Sequence, residues 1–276
     1  MSEAEDVLQA ALDAMRSGMA GCLVTIVETR GSTPRQVGTK MLVRPDGTTV
    51  GTIGGGEPEA QAIAEAGRAI GEGRSCMSHY SLLGTAPGEL GICGGEVTLF
   101  LEVLGVKPTL LVVGAGHIAQ PLVALAAQLG YRTVVVDDRM DLVTAERFPK
   151  ADQLIAISLD QLADNIDITS QTYIVIVTRA HEHDALVLAQ VVGSAAAYVG
   201  MIGSRKKVRT VMDKLLADGV AESLLSRVYA PIGLGIGGET PVEIALSIMS
   251  EIALVRYGGS PQPLSIAGNP FHVSRA

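Results

Sequence analysis

Leu110-Leu111-Val112-Val113-Gly114-Ala115-Gly116-His117-Ile118-Ala119 is the stretch on which the fold turns, with its continuation to Val134-Val135-Val136-Asp137-Asp138. An apolar, β-rich run ends in G-x-G-x-x-A, a helical pattern follows, and a second apolar run ends in a carboxylate. Each part has a job in a dinucleotide site. Gly114 permits the tight strand-to-helix turn, Gly116 lets the backbone approach a pyrophosphate, and Ala119 allows close helix–strand packing. The helix N-terminus presents N–H groups and the positive end of its dipole to phosphate. His117 either contacts that phosphate or packs over the turn. Asp137, about 20 residues on, ends a strand where a carboxylate accepts bonds from ribose hydroxyls. It disfavours a 2′-phosphate, Arg139 softens that preference, and the balance leans to NAD over NADP.

The whole chain sets limits on that site. Its 276 residues suggest two domains with ample cores. The apolar content is aliphatic; aromatics make up 3% and Trp is absent, which argues against stacking platforms for single-stranded nucleic acid. A net charge of −8 also counts against a phosphate backbone as partner. The basic run Arg205-Lys206-Lys207-Val208-Arg209 reads as a helix start. No apolar run reaches membrane-spanning length, and the acidic opening Met1-Ser2-Glu3-Ala4-Glu5-Asp6 is unlike a secretory signal. Cys22, Cys76 and Cys93 are odd in number and widely spaced, so neither a disulfide framework nor a zinc site is suggested. The expected address is the cytoplasm, with no nucleic acid or membrane as partner.

Outward from the opening stretch, strand and helix alternate. Strands are expected near Leu110–Val113, Thr133–Asp137, Gln153–Ile157, Tyr173–Val177 and Ala197–Met201. Helices are expected near Ile118–Leu129, Leu159–Asn165, Asp184–Gly193 and Arg205–Ala217. This order predicts an α/β fold with a Rossmann-like, doubly wound parallel sheet. A last helix starts at Thr240-Pro241-Val242-Glu243, where Thr240 caps and Glu243 completes a capping box. Towards the N-terminus, a helix over Asp6–Ser17, a strand over Cys22–Val27 and a loop over Glu28–Arg35 are expected. A hairpin around Pro45-Asp46-Gly47, an Ala-rich helix from Pro58 to Gly71, and strands over Met77–Tyr80 and Glu96–Val103 follow. The domains are therefore a smaller N-terminal α+β unit over 1–105, a Rossmann-like unit over 106–258, and a tail over 259–276.

Several loops carry chemistry. Arg30 and Arg35 flank a small-residue turn, and guanidinium groups grip phosphate or carboxylate with a two-pronged geometry. Gly54-Gly55-Gly56 stands before a helix, where unobstructed N–H groups can receive an anion. Cys93-Gly94-Gly95 leaves a thiol unobstructed in a loop, although a reactive thiol also needs positive groups or N–H donors nearby. The alternative is that these glycines serve turns and the arginines are solvated. In Thr178-Arg179-Ala180-His181-Glu182-His183-Asp184, after a strand and so at the ligand-binding edge of the sheet, His181 and His183 are either ligand contacts, metal ligands or an acid–base pair with Asp184. Their spacing is not a metal signature, and no metal is assigned. Asp184 serves equally as a helix cap.

The blocks Arg30–Arg35 with Gly38 and Lys40-Met41, Gly51–Gly56 with Glu59, Cys93–Gly95, Gly114–His117, Thr178–Asp184, Gly200–Arg205 and Pro231–Leu234 occur in one order. In that order the chain resembles the XdhC/CoxI family, maturation factors of xanthine dehydrogenase and related molybdenum hydroxylases. The resemblance runs over nearly the whole length. It implies a protein that binds molybdenum cofactor, supports its sulfuration and inserts it into an apo-hydroxylase. It also implies a homodimer that touches a cysteine desulfurase, and a chaperone rather than a catalyst. Gly235 stands where members often carry Asp, and Ala180 where they often carry Gly. On this reading Arg30, Arg35, Gly54–Gly56 and Cys93 hold the molybdenum cofactor, with Cys93 as the sulfur or metal contact, and the Rossmann half binds a nucleotide, either NAD(P) or a nucleotide-linked cofactor. The alternatives are an NAD(P)-dependent oxidoreductase using His181 or His183 as proton donor, and a nucleotide-sensing module without chemistry.

Overall fold

Ser2 starts the first helix, α1 (Glu3–Ser17), in the computed structural model, which describes residues 2–81 and 95–264. The Ser2 hydroxyl accepts from the Glu5 N–H while the Glu5 carboxylate accepts from the Ser2 N–H, a reciprocal box that moves the start from Asp6 to Glu3. The chain then divides into two compact units, Met1–Pro108 and Thr109–Ala276.

The first unit continues with β1 (Gly21–Arg30), β2 (Lys40–Val43), β3 (Thr49–Gly51), α2 (Gly56–Glu72), β4 (Cys76–Ser81) and β5 (Glu96–Leu104). Its strands form an antiparallel sheet in the order β3-β2-β1-β5-β4. Strand alternation sorts the two faces. Cys22, Val24 and Ile26 of β1 and Val97, Leu99 and Leu101 of β5 pack on Ala62, Ala66 and Ile70 of α2. Leu23 and Leu42 pack on Val7 and Ala11 of α1 on the other face. Cys22 is a core residue whose thiol pKa is pushed up to about 12, chiefly by burial. β1 runs on to Arg30, where a loop was expected. A bulge between Ile26 and Glu28 takes up an extra residue, and pairing with β5 resumes beyond it.

The second unit contains β6 (Thr109–Val113), α3 (Ala119–Gln128), β7 (Arg132–Asp137), β8 (Gln153–Ala156), α4 (Leu162–Asn165), β9 (Thr172–Ile176), α5 (His181–Val191), β10 (Tyr198–Met201), α6 (Arg205–Ala217), α7 (Glu222–Leu225) and α8 (Pro241–Tyr257). All five strands are parallel, in the order β10-β9-β6-β7-β8. Helices cover both faces, which is why these strands read as continuous apolar runs. Leu111, Val113, Ile174 and Ile176 meet α5 and α6, while Leu110, Val112 and Val175 meet α3 and α8. The strand order reverses between β6 and β9, and the crevice outside the carboxyl ends of those strands is where such sheets take ligands. Among the described residues no helix is long and apolar enough to cross a membrane. Residues 265–276 of the expected tail lie outside the described residues.

Candidate functional site

In the second unit, the turn after β6 is built by close approach. Gly114 has φ +116°, and a Cβ there would sit 2.7 Å from the Val177 carbonyl carbon. Gly116, by contrast, has nothing within 4 Å of its Cβ position. Ile118 precedes α3 without a side-chain cap bond, Ala119 is fully buried, and His117 is exposed beside the turn. The turn is thus closed around Gly114 and open at Gly116.

Asp137 does something different from the ribose contact expected of it. It is 2% exposed, and its carboxylate accepts from the Ala115 N–H at 2.7 Å, the Arg139 N–H at 3.0 Å, and Arg139 Nε and Nη2, each at 2.8 Å. Burial pushes this carboxyl up, but the Arg139 guanidinium and the Ala115 N–H outweigh it and hold it well below the usual carboxylate range. Asp137 therefore ties the end of β7 to the glycine turn. The carboxylate on the open side is Asp138, which pairs with Arg179 at 2.8 Å. Arg179 follows β9 and Asp138 follows β7, the two neighbours of β6, so their pair spans the carboxyl end of β6. Arg147, which the sequence did not mark, donates from Nη2 to the Ala115 carbonyl at 3.1 Å. Its Nε is buried without a hydrogen-bond partner among the described residues.

His181 and His183 lie in the first turn of α5, not in a loop; Ala180 is the N-cap, and its extended φ of −138° needs no glycine. His181 is exposed and 3.8 Å from Glu182. No group of three His, Cys, Asp or Glu residues among the described residues is arranged to hold a metal ion. Asp184 is fully buried, accepts from the Thr178 hydroxyl at 2.6 Å and pairs with Lys207 of α6. This contact fastens the loop after β9 to the helix after β10. Gly235 has open space around its Cβ position.

In the first unit the expected anion groups already hold carboxylates. Arg30 bonds Glu28 at 3.0 Å, and Arg35 pairs with Glu3 at 3.2 Å, both exposed. The Gly54–Gly56 turn meets the arginine loop, since a Cβ on Gly54 would lie 2.6 Å from Pro34 Cγ. The Gly54 and Gly55 N–H groups are not open as expected. Glu59 accepts from Ile53 N and Gly55 N, each at 2.9 Å, and from the Thr52 hydroxyl, while Gly54 N donates to that hydroxyl at 3.0 Å. The pattern was legible, because a carboxylate one turn into a helix can reach back over a glycine-rich start. Burial raises the Glu59 pKa, and the donors from Thr52, Gly55, Ile53 and Gly54 bring it net below its ordinary value. Glu59→Ala is expected to cost about 1–2 kcal/mol, as lost caps do. A depressed folded-state pKa contributes stability above the unfolded value of about 4.3. That stability is lost as pH falls through the folded value. Thermal unfolding should therefore show wild type and variant converging below pH 4. Cys93 and Gly94 lie outside the described residues. Gly95 packs tightly, its Cβ position being 2.7 Å from the Arg30 carbonyl oxygen.

Comparison with known proteins follows the same two units. The model of the XdhC and CoxI family matches residues 14–81, and that of the XdhC Rossmann domain matches residues 110–252. The Escherichia coli (strain K12) protein described as uncharacterized protein YqeB is 36% identical over 254 residues, 91% of this chain and 46% of that protein. A Bacillus subtilis (strain 168) protein described as a probable xanthine dehydrogenase subunit is 32% identical over 158 residues, 57% of this chain and 46% of its own. The chain thus spans about half the length of these two relatives. The molybdenum cofactor insertion chaperone PaoD of Escherichia coli (strain K12) is 28% identical over 283 residues, 91% of this chain and 88% of PaoD.

Proposed function

The chain belongs to the XdhC and CoxI family, and on that premise we propose that it binds molybdenum cofactor and inserts it into an apo-hydroxylase of the xanthine dehydrogenase type. The observation that carries this reading is the alignment with an insertion chaperone across both units and most of each chain. The cofactor is cargo, so it is treated as substrate, and an anionic one because its pterin carries phosphate.

The described geometry supports reversible capture of such a cargo. Exposed ion pairs contribute about 0–1 kcal/mol, so an incoming phosphate can take Arg30 from Glu28 or Arg35 from Glu3 at small cost. The Gly54–Gly56 turn supports this site through Glu59, which with Thr52 occupies the Gly54 and Gly55 N–H groups. Cys93 is the proposed sulfur contact during sulfuration, with a cysteine desulfurase as donor, a homodimer as the working form and the cytoplasm as the compartment. In the second unit the glycine turn and α3 are proposed to take the pyrophosphate of NAD(P). Because Asp137 is engaged with Arg139 and Ala115, the preference for NAD over NADP loses its basis, and Asp138 with its partner Arg179 is the proposed contact for the ribose end.

Purification from a host that makes molybdenum cofactor tests this. Wild type should carry pterin, read as its fluorescent oxidation product, together with molybdenum. Arg35→Ala and Cys93→Ala should each carry several-fold less. Protein free of pterin that oxidises NADH with a small substrate would replace this reading with a dehydrogenase.

A further inference from the structure

The first unit's sheet presents a polar groove that none of the roles above uses as a whole. Cross-strand register sets Glu28 opposite Thr98 and Thr98 opposite His79; in the next row Arg30 lies opposite Glu96 and Glu96 opposite Ser81. Alternation puts all six on one face, the reverse of the face where Val97 and Leu99 meet α2. The bulge after Ile26 accomplishes this. Ile26 is buried against α2, so unbroken alternation would turn Glu28 inward as well; one extra residue reverses the phase and carries Glu28 and Arg30 outward.

These residues line a groove of about 400 Å³, within the usual range for small-molecule sites of roughly 300–1,000 Å³. Its groups are differently committed. Arg30 is held by Glu28 on its own strand, and His79 Nδ1 lies 2.9 Å from the Thr98 hydroxyl. The Glu96 carboxylate has no hydrogen bond or ion pair among the described residues. Main chain sets the Glu96 backbone opposite Arg30, because the strands pair there and Gly95 abuts the Arg30 and Ser32 carbonyls too closely for any Cβ. An exposed carboxylate that faces a groove and has no partner among the described residues suits a ligand edge with two adjacent N–H donors, which it accepts as a fork.

We propose that this groove holds a 2-amino-4-oxopyrimidine edge, Glu96 accepting from the ring N–H and the amino group while Arg30 takes the ligand's anionic substituent. Resting on the reading of the protein as a cofactor carrier, this assigns the edge to the pterin; guanine carries the same edge and is the other source. The full chain is titrated with pterin-6-carboxylate, followed by its own fluorescence, and with GMP and IMP by calorimetry. Glu96→Gln loses the charge and one acceptor, so pterin-6-carboxylate should bind at least ten-fold more weakly, with the thermal midpoint unchanged. Arg30→Ala should weaken it several-fold. GMP bound ten-fold more tightly than both IMP and the pterin, and lost in Glu96→Gln, would keep the edge and overturn the pterin as its source. Unchanged pterin affinity in Glu96→Gln, or no binding of either compound, overturns the proposal. Copurified cofactor separates the two failures. A Glu96→Gln protein as loaded as a loaded wild type sinks only the groove, whereas a wild type that carries none sinks the carrier reading and this assignment with it.

Discussion

Gly114→Ala should leave the second unit without its native strand pairing, losing more than about 3 kcal/mol of stability. Two costs add. A residue other than glycine at φ +116° is strained by on the order of 1–3 kcal/mol. The new methyl would also lie 2.7 Å from the Val177 carbonyl carbon and 3.0 Å from Thr178 N. Both neighbours are backbone at the end of β9, which pairs directly with β6, so relief requires the central strands to part. Urea unfolding should show the loss. Gly116 provides the contrast. Its Cβ position is open, so Gly116→Arg should fold with a wild-type midpoint and yet lose NAD(P) binding, because the side chain fills the approach to the pyrophosphate. Undiminished nucleotide affinity in that variant would remove the turn from the proposed site.

Lys207→Met carries the second large expectation, a loss of about 3–5 kcal/mol, the usual cost of stranding a buried charge. Asp184 is fully buried and its remaining partner would be the Thr178 hydroxyl. The double variant Asp184→Leu with Lys207→Met should recover much of that loss, because an apolar pair of similar volume replaces a buried ion pair at little net cost. Denaturant midpoints of both single variants and the double variant measure the coupling. A Lys207→Met midpoint within about 1 kcal/mol of wild type would mean that water, not lysine, serves Asp184. The pair joins the first turn of α5 to α6, and Asp184 also holds Thr178 in the loop before α5, so losing the pair should also loosen Arg179 and weaken nucleotide binding.

The second unit was largely legible because its signals are local. An apolar run before Gly114, a helix, and another run ending at Asp137 specify a βαβ unit within one window; Thr240 and Glu243 announce α8 in the same way. Features that need the third dimension were not. A single bulged residue hides the outer half of β1, since it breaks the alternation by which Glu28 and Arg30 would read as strand. Ala180 offers no capping side chain, so the first turn of α5, with His181 and His183, reads as loop. Asp137 carries the expected residue type at the expected place, but whether it faces ribose or Arg139 depends on how the chain turns after β7. The Lys207–Asp184 pair joins two successive βα units, beyond any periodicity. In the first unit, Gly54–Gly56 reads as an open anion turn, whereas Glu59 and Thr52 already take the Gly55 and Gly54 N–H groups.

Transfer to a client bears most directly on the account. Protein purified from a cofactor-producing host is mixed with a cofactor-free hydroxylase of the xanthine dehydrogenase type, and hydroxylase activity is followed against an equal amount of free cofactor. The account predicts activity rising in proportion to the pterin delivered, faster than with free cofactor, and falling several-fold when the donor is Arg35→Ala or Cys93→Ala. A loaded donor that activates the hydroxylase no better than free cofactor, with both variants equal to wild type, would contradict it.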